Sequence, residues 1–277
     1  MRNLVAVVSA LIRASHPWPA LTVTAVATGL AAASGRSAGG LVTVTAAVLA
    51  GQLSVGWLND LVDASRDART GRSGKPVATG ELSRRTVLVG VLVAALAAVA
   101  LSLPSGVPAT VVHLVALAAA WAYDLGVKAT AWSVVPYAVF FGLLPVFVTL
   151  GLPGSPLPPV WLVLAAAALG CAAHFVNVLP DLDDDLATGV RGLPHRLGGT
   201  GSHAAAALLV LAASALLVLG PPGGASGVGL VALPTAVLIV AAGMVAGRRP
   251  GSRTAFSSVL LVALIDVALL ASGVPLR

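Results

Sequence analysis

Asn59-Asp60-Leu61-Val62-Asp63-Ala64-Ser65-Arg66-Asp67 closes an uncharged, apolar run, 41–58. Far downstream, Asn177-Val178-Leu179-Pro180-Asp181-Leu182-Asp183-Asp184-Asp185 closes another such run. Both stretches fit Asn-x3-Asp-x3-Asp, as Asn59, Asp63, Asp67 and as Asn177, Asp181, Asp185. The whole chain has only 10 acidic residues, and seven of them stand in these two stretches. The acids are therefore concentrated at two edges of apolar segments, and those edges fix both the fold class and the place to look for chemistry.

The composition sets the environment. The 277 residues are 58% hydrophobic and 9% charged, against about 25% charged in soluble domains. The apolar residues come in blocks of about 17 or more, the length a helix needs to cross a bilayer. Strand-like alternation is absent, which sets aside a β-barrel. The formal net charge of +6 does not point to nucleic acid, because the basic residues lie in short loops between apolar blocks. Cys171 is the one cysteine. It sits in an apolar block, excludes an intrachain disulfide and reads as packing. Arg2 and Arg13 flank the short run 4–12, which reads as a surface helix before the first span and not as a cleaved signal.

The expected fold is all-α: one polytopic membrane domain over 1–277, with nine transmembrane helices around a central cavity. The spans are placed at about 17–34, 41–58, 86–103, 109–123, 132–150, 160–179, 203–219, 230–246 and 254–272. An N-terminus in the cytoplasm puts fourteen of the 16 basic residues inside and leaves only Arg36 and Arg277 outside. Lys and Arg in short loops set orientation, so both acidic stretches are expected on the cytoplasmic side of a cell membrane. Segments 59–85 and 181–200 are expected to cap the site there as loops. Abundant Ala and Gly let the helices pack closely in lipid. With 4% aromatic residues, a substrate pocket should be mainly aliphatic with a few rings.

Residues four apart drift by about 40° around a helix. Asn59, Asp63 and Asp67 therefore share one face, and on a continuous helix so do Asn177, Asp181 and Asp185. Carboxylates gathered at a membrane edge need a counter-charge. Oxygen donors of this type suit Mg²⁺, which keeps waters and binds carboxylates together with substrate phosphates. A single such stretch is equally well a solvated helix end. Two copies, each followed by a basic loop, favour a shared metal-diphosphate site.

The pattern Asn59-Asp60-x2-Asp63-x3-Asp67, followed by Gly71-Arg-Ser-Gly-Lys-Pro-Val-Ala-Thr-Gly80, resembles the first signature of the UbiA superfamily of intramembrane prenyltransferases. The segment 181–185, with 187–198, resembles the second signature, and Tyr123 to Lys128 the family's Tyr…Lys element. The resemblance implies an isoprenyl diphosphate bound through about two or three Mg²⁺, with its tail in a lipid-open groove. Ionisation then gives an allylic cation, which a small acceptor, expected to be aromatic, captures with release of diphosphate. It also implies site residues. Asn59, Asp63, Asp67, Asp181 and Asp185 are expected at the metal, with Asp60 and Asn177 in support. Arg72, Lys75, Lys128 and Arg191 are expected on the diphosphate, with Lys128, Arg191 and Tyr123 taking part in catalysis. Lys75 precedes Pro76 where relatives often carry Arg, which keeps the charge and loses the bidentate fork. Any one of these basic residues equally well serves as a positive-inside anchor.

Several residues stay open at this level. Tyr123 fits a ring facing the cation or an interfacial anchor. His174, one turn before Asn177, fits packing better than contact with an acceptor, and His113 reads as structural. Asp183 and Asp184 are expected to face solvent or a basic neighbour. Asp266 lies deep in the last span, where an acid is a functional suspect, and matches no motif. Two other functions compete: a terpene cyclase on the same scaffold, and a cation transporter. Transporter acids lie near the midplane at inverted repeats, whereas both stretches here lie at span ends. Phosphatidyl transfer is set aside, because its Asp-Gly-x2-Ala-Arg element is missing.

Overall fold

The computed structural model describes residues 4–71, 74–222, 227–247 and 254–271. Arg72, Arg2, Arg248, Arg249, Arg253 and Arg277, all used in the sequence reading, lie outside the described residues. Every regular element among the described residues is helical: α1 (Leu4–Ala14), α2 (Pro17–Ala33), α3 (Ala38–Arg69), α4 (Arg84–Ser102), α5 (Val107–Asp124), α6 (Val135–Leu150), α7 (Val160–Val178), α8 (Leu182–Ala187), α9 (Leu193–Leu219), α10 (Gly227–Ala246) and α11 (Thr254–Ala271), with short 3-10 turns between some of them.

By length and composition, six of these segments can cross a membrane, or seven if the bent pair α1–α2 forms one span. That pair bends by 65° at His16, which adopts a left-handed conformation (φ 52°). The helix α6 is shorter, at 16 residues. The outward faces are apolar: Leu92, Val93 and Leu96 on α4 and Leu230, Val231 and Leu238 on α10 are all more than half exposed. Such surfaces need lipid as their solvent, and the chain is an integral membrane protein.

Local chemistry explains where the helices begin. Ser37 caps α3 by accepting from the Gly40 amide at 3.2 Å, and Ser83 caps α4 by accepting from Thr86 N at 3.0 Å. Both satisfy an amide that a helix N-terminus leaves without a partner. Proline stands in the first two positions of α2, α5, α6 and α9, where its missing N–H costs nothing. Arg66 and Arg69 fill the last turn of α3, complementing its negative end.

The helix α7 is the spine. Its Leu162 and Ala165 belong to one buried cluster with residues of α2, α3, α5, α6 and α9. Its Ala172, Ala173, Phe175 and Val176 belong to a second, with residues of α9, α10 and α11. Small side chains permit close crossings. At Gly56, a Cβ would collide with the backbone of Ser15, so α3 passes the α1–α2 hinge at a distance only glycine allows.

At one end of the bundle, Arg36 donates to the carbonyl of Gly151 and to Ser105 Oγ. One guanidinium thereby ties together three loops, after α2, α4 and α6. This accounts for an arginine on the side where the charge rule leaves it an exception. The acidic stretches lie toward the opposite ends of their helices. The first is not a loop: α3 continues unbroken through Arg69, so the expected cap over 59–85 is irregular only after it. The second departs from the continuous helix assumed for it. Pro180 cannot donate to a helical ladder, and α7 gives way to a 3-10 turn, Leu179–Asp181, before the short α8.

Candidate active site

The two acidic stretches face one cavity of about 710 Å³. Asn59, Asp63 and Arg66 reach it from α3, and Tyr123 and Lys128 from the end of α5 and the turn after it. From the opposite side come His174 and Asn177 of α7, Asp181, Asp185 of α8, and His195 of α9. Although Pro180 breaks the helix, Asn177, Asp181 and Asp185 still point into the same space. Asp183 and Asp184 are exposed, as expected.

Asp63 is the centre of the first half. Lys128 Nζ lies 2.6 and 2.7 Å from its two oxygens, and Arg66 donates to it at 2.9 Å. The pair is nearly dry: the Lys128 and Asp63 side chains are 10% and 7% exposed. Arg66 also lies 3.7 Å from Asp185, so one guanidinium spans the two stretches. His195 Nε2 approaches the other Asp185 oxygen at 3.3 Å. Asn59 gives its amide hydrogens to Asp63 (3.2 Å) and Asp124 (2.8 Å), which leaves its carbonyl oxygen toward Lys75 at 3.4 Å.

Lys75 is the hub of the loop above. Besides Asn59 it meets His16 Nε2 at 3.0 Å, Asp60 at 3.5 Å and Asp67 at 3.9 Å. These contacts correct the place given to Asp60. It lies about 100° around the helix from Asn59, is fully buried, and accepts from the Val77 amide at 3.2 Å. It fastens the 74–80 loop and does not line the cavity. Asp67 is likewise buried beneath Lys75 and off the cavity lining, so the helical face holding Asn59 and Asp63 does not carry Asp67 into the site.

Arg191 is exposed and stands outside the cavity wall, contrary to its expected place on a diphosphate. Arg66 and His195 occupy cationic and polar positions that the sequence reading did not assign. Their signal was present: Arg66 is three residues from Asp63, and His195 lies in the second signature.

Tyr123 lines the cavity with its ring edge-on to Tyr137 at 5.1 Å and to His174 at 5.5 Å. It is inside the site and not an interfacial anchor. His174 bonds Ser133 Oγ through Nε2 at 3.0 Å, and that hydroxyl also accepts from Leu193 N at 2.9 Å. The histidine is thus packed and polar-bonded, with one edge on the cavity. His113 bonds Ser102 at 2.7 Å and stacks on Phe147 at 4.5 Å, a structural role. Asp266 is buried within α11 and does not line the cavity.

Among the described residues, no three His, Cys, Asp or Glu side chains converge to hold an ion by themselves. The carboxylates instead sit in pairs with Lys128, Arg66 and His195. The carboxylates and amides of Asn59, Asp63, Asn177, Asp181 and Asp185 bring a set of oxygen donors to the cavity wall, beside the imidazoles of His16, His174 and His195. That set fits Mg²⁺, which takes one or two carboxylates and completes its shell with water and phosphate oxygens. The geometry supports a polyanion held between two carboxylate-cation clusters at the mouth of an apolar interior.

Comparison with known proteins identifies the fold. Solved structures share the fold. A UbiA homolog from Aeropyrum pernix K1 superposes with a TM-score of 0.75 at 18% identity, covering 90% of this chain and 96% of that one. A UbiA homolog from Archaeoglobus fulgidus bound to DMAPP and Mg²⁺ gives 0.71 at 16% identity, covering 95% and 99%. The same homolog bound to GPP and Mg²⁺ gives 0.67 at 15%, covering 95% and 100%. A search of curated proteins finds no match. The model of the UbiA prenyltransferase family matches residues 19–265, nearly the whole length over which the helices pack, and the chain belongs to that family.

Proposed function

We propose that this protein transfers a prenyl group from an isoprenyl diphosphate to a small aromatic acceptor, with Mg²⁺, on the cytoplasmic side of a cell membrane. One observation carries the proposal. Asp63 with Lys128 and Arg66 faces Asp185 with His195 across a single cavity, and that cavity opens into an apolar pocket. The Archaeoglobus fulgidus homolog bound to DMAPP or GPP with Mg²⁺ supports this choice of donor and metal. The whole chain then acts as one membrane domain of nine spans, with the 70–85 loop and segment 181–200 closing over the site.

In this scheme Asn59, Asp63, Asn177, Asp181 and Asp185 would hold Mg²⁺. The bound metal would supply Lewis-acid neutralisation of the diphosphate. Lys128, Arg66 and Lys75 lie beside the same wall and stabilise the charge that grows on the leaving oxygen. The C1–O bond breaks, and the diphosphate departs with the electron pair. The allylic cation forms beside Tyr123, whose ring lines the cavity and favours positive charge. An electron pair of the acceptor closes the new bond to C1, and the acceptor loses a proton. The apolar walls exclude water that would otherwise capture the cation.

The test is turnover by the purified protein with Mg²⁺, geranyl diphosphate and a panel of phenolic acceptors. Prenylated product and diphosphate are expected in equal amounts, and Asp181→Ala should abolish both. Diphosphate release with a hydrocarbon product and no acceptor would assign cyclisation instead. No diphosphate release with any pairing would overturn the proposal.

A further inference from the structure

A smaller pocket of about 200 Å³ continues inward from the diphosphate cavity. The two share His16, Pro19, Asn59, Tyr123 and Asn177 as a common rim. Below that rim the wall is unusually aromatic for a chain with so few rings. Tyr123, Tyr137, Phe140 and Phe141 all line it, with Tyr137 nearly parallel to Phe141 at 6.3 Å.

Gln52 and Asp124 bring further polar groups to this wall, beside Ser15 and the Tyr137 hydroxyl. Gln52 precedes Asn59 by seven residues on α3, so it shares that face and lies about 10 Å deeper along the axis. Its side chain makes no hydrogen bond among the described residues. Asp124 is buried. Its Oδ1 accepts from Asn59 at 2.8 Å, while its Oδ2 has no partner among the described residues. Both residues line the pocket.

A prenyl chain has no hydrogen-bonding atom. Laid in this pocket it would bury the Gln52 amide and Asp124 Oδ2 against hydrocarbon, which leaves polar groups unsatisfied. The larger cavity has an apolar wall without that conflict, formed by Trp18 of α2 and Leu261 and Leu264 of α11. A flat ring carrying an O–H or N–H group suits the smaller pocket on every count. It packs against the four aromatic side chains, and its polar hydrogen has acceptors waiting. A dry cavity of about 150 Å³ takes up benzene, so the volume suits one substituted ring or a compact bicycle.

We infer that this inner pocket is the acceptor site, that it takes a small aromatic ring bearing a hydroxyl or N–H, and that Gln52 and Asp124 recognise that group while the prenyl chain runs along the α2–α11 wall. The inference rests on the prenyl-transfer function proposed above and adds which space each substrate occupies.

The experiment uses the full chain in detergent with Mg²⁺, the non-hydrolysable thio analogue of geranyl diphosphate, and 7-hydroxycoumarin as a fluorescent phenolic probe. The probe is expected to bind the protein already loaded with the thio analogue, without competition. Gln52→Leu should weaken the probe at least tenfold and leave the Kd of the thio analogue within twofold. Ala120→Leu narrows the same wall without touching a polar group, and should weaken the probe alone; it decides the matter should Gln52→Leu lose both ligands. Competition between the two ligands overturns the inference. So does an unchanged probe affinity in both variants, or the absence of probe binding to wild-type protein that binds the thio analogue. Failure of the thio analogue itself to bind in the presence of Mg²⁺ would instead overturn the prenyl-transfer function.

Discussion

Replacing Lys128 by methionine keeps an unbranched side chain of nearly the same length and removes its charge. Its ammonium sits 2.6 and 2.7 Å from the two Asp63 oxygens in a nearly dry setting. At an effective dielectric near 20, two unit charges at that separation attract by about 6 kcal/mol. Most of this is offset by desolvation, and Asp63 keeps Arg66 at 2.9 Å. The net loss of stability should therefore fall near the low end for breaking a buried pair, about 2 kcal/mol. On the proposed function the catalytic loss should be larger, because the ammonium lines the cavity assigned to the leaving diphosphate. Removing one preorganised electrostatic donor costs on the order of 10²–10³ in kcat. Chemical denaturation in detergent reads the first quantity, and single-turnover diphosphate release under saturating donor reads the second. A kcat for Lys128→Met within about threefold of wild type would refute the assignment of this lysine to the leaving group. A stability loss without a rate loss would leave it only a structural partner of Asp63.

Asp60→Ala should loosen the loop it fastens: its buried carboxylate holds the Val77 amide, so about 1–3 kcal/mol of stability should go, with faster hydrogen exchange at residues 75–80. Arg191→Ala should change kcat/KM by no more than about twofold, as for exposed surface positions, since its side chain stands off the cavity; a hundredfold loss would restore the role its place in the second signature suggested. Gly56→Ala should cost about 1–3 kcal/mol by overpacking, read as a lower melting temperature in detergent, because its Cβ meets the Ser15 backbone.

Much of this was readable in the sequence because membranes force it. Apolar run length and loop charge are crude signals, and helices α2, α4, α5, α7 and α10 lie within a few residues of the spans they marked. Helical phase puts Asn59 and Asp63 on one face, and both line the cavity; Asp60, expected in support at the metal, is instead buried against the 74–80 loop. Three things lay beyond one-dimensional reasoning. Asp67 has the right spacing but is covered by Lys75, which a loop folding back brings over it. Pro180 was visible, yet whether the residues after it still meet the cavity depends on how the turn redirects the chain. Gln52 and Asp124 belong to no shared motif, and only the packing of α3 against α5 sets them in one pocket.

The ion pairs at Asp63 and Asp185 carry a thermodynamic consequence. A site whose carboxylates already face Lys128 and Arg66 cannot admit a bare cation without stranding its own cations in a medium of low dielectric. Nor can it admit a bare diphosphate without stranding its acids. On the proposed function the two would enter as a near-neutral package, with Asp63 and Asp185 turning to the metal and Lys128 and Arg66 to the diphosphate. Affinity for Mg²⁺ alone should then be weak and affinity for the salt strong, a linkage between ligands of opposite sign that protects the resting site from idle occupation by free metal ions.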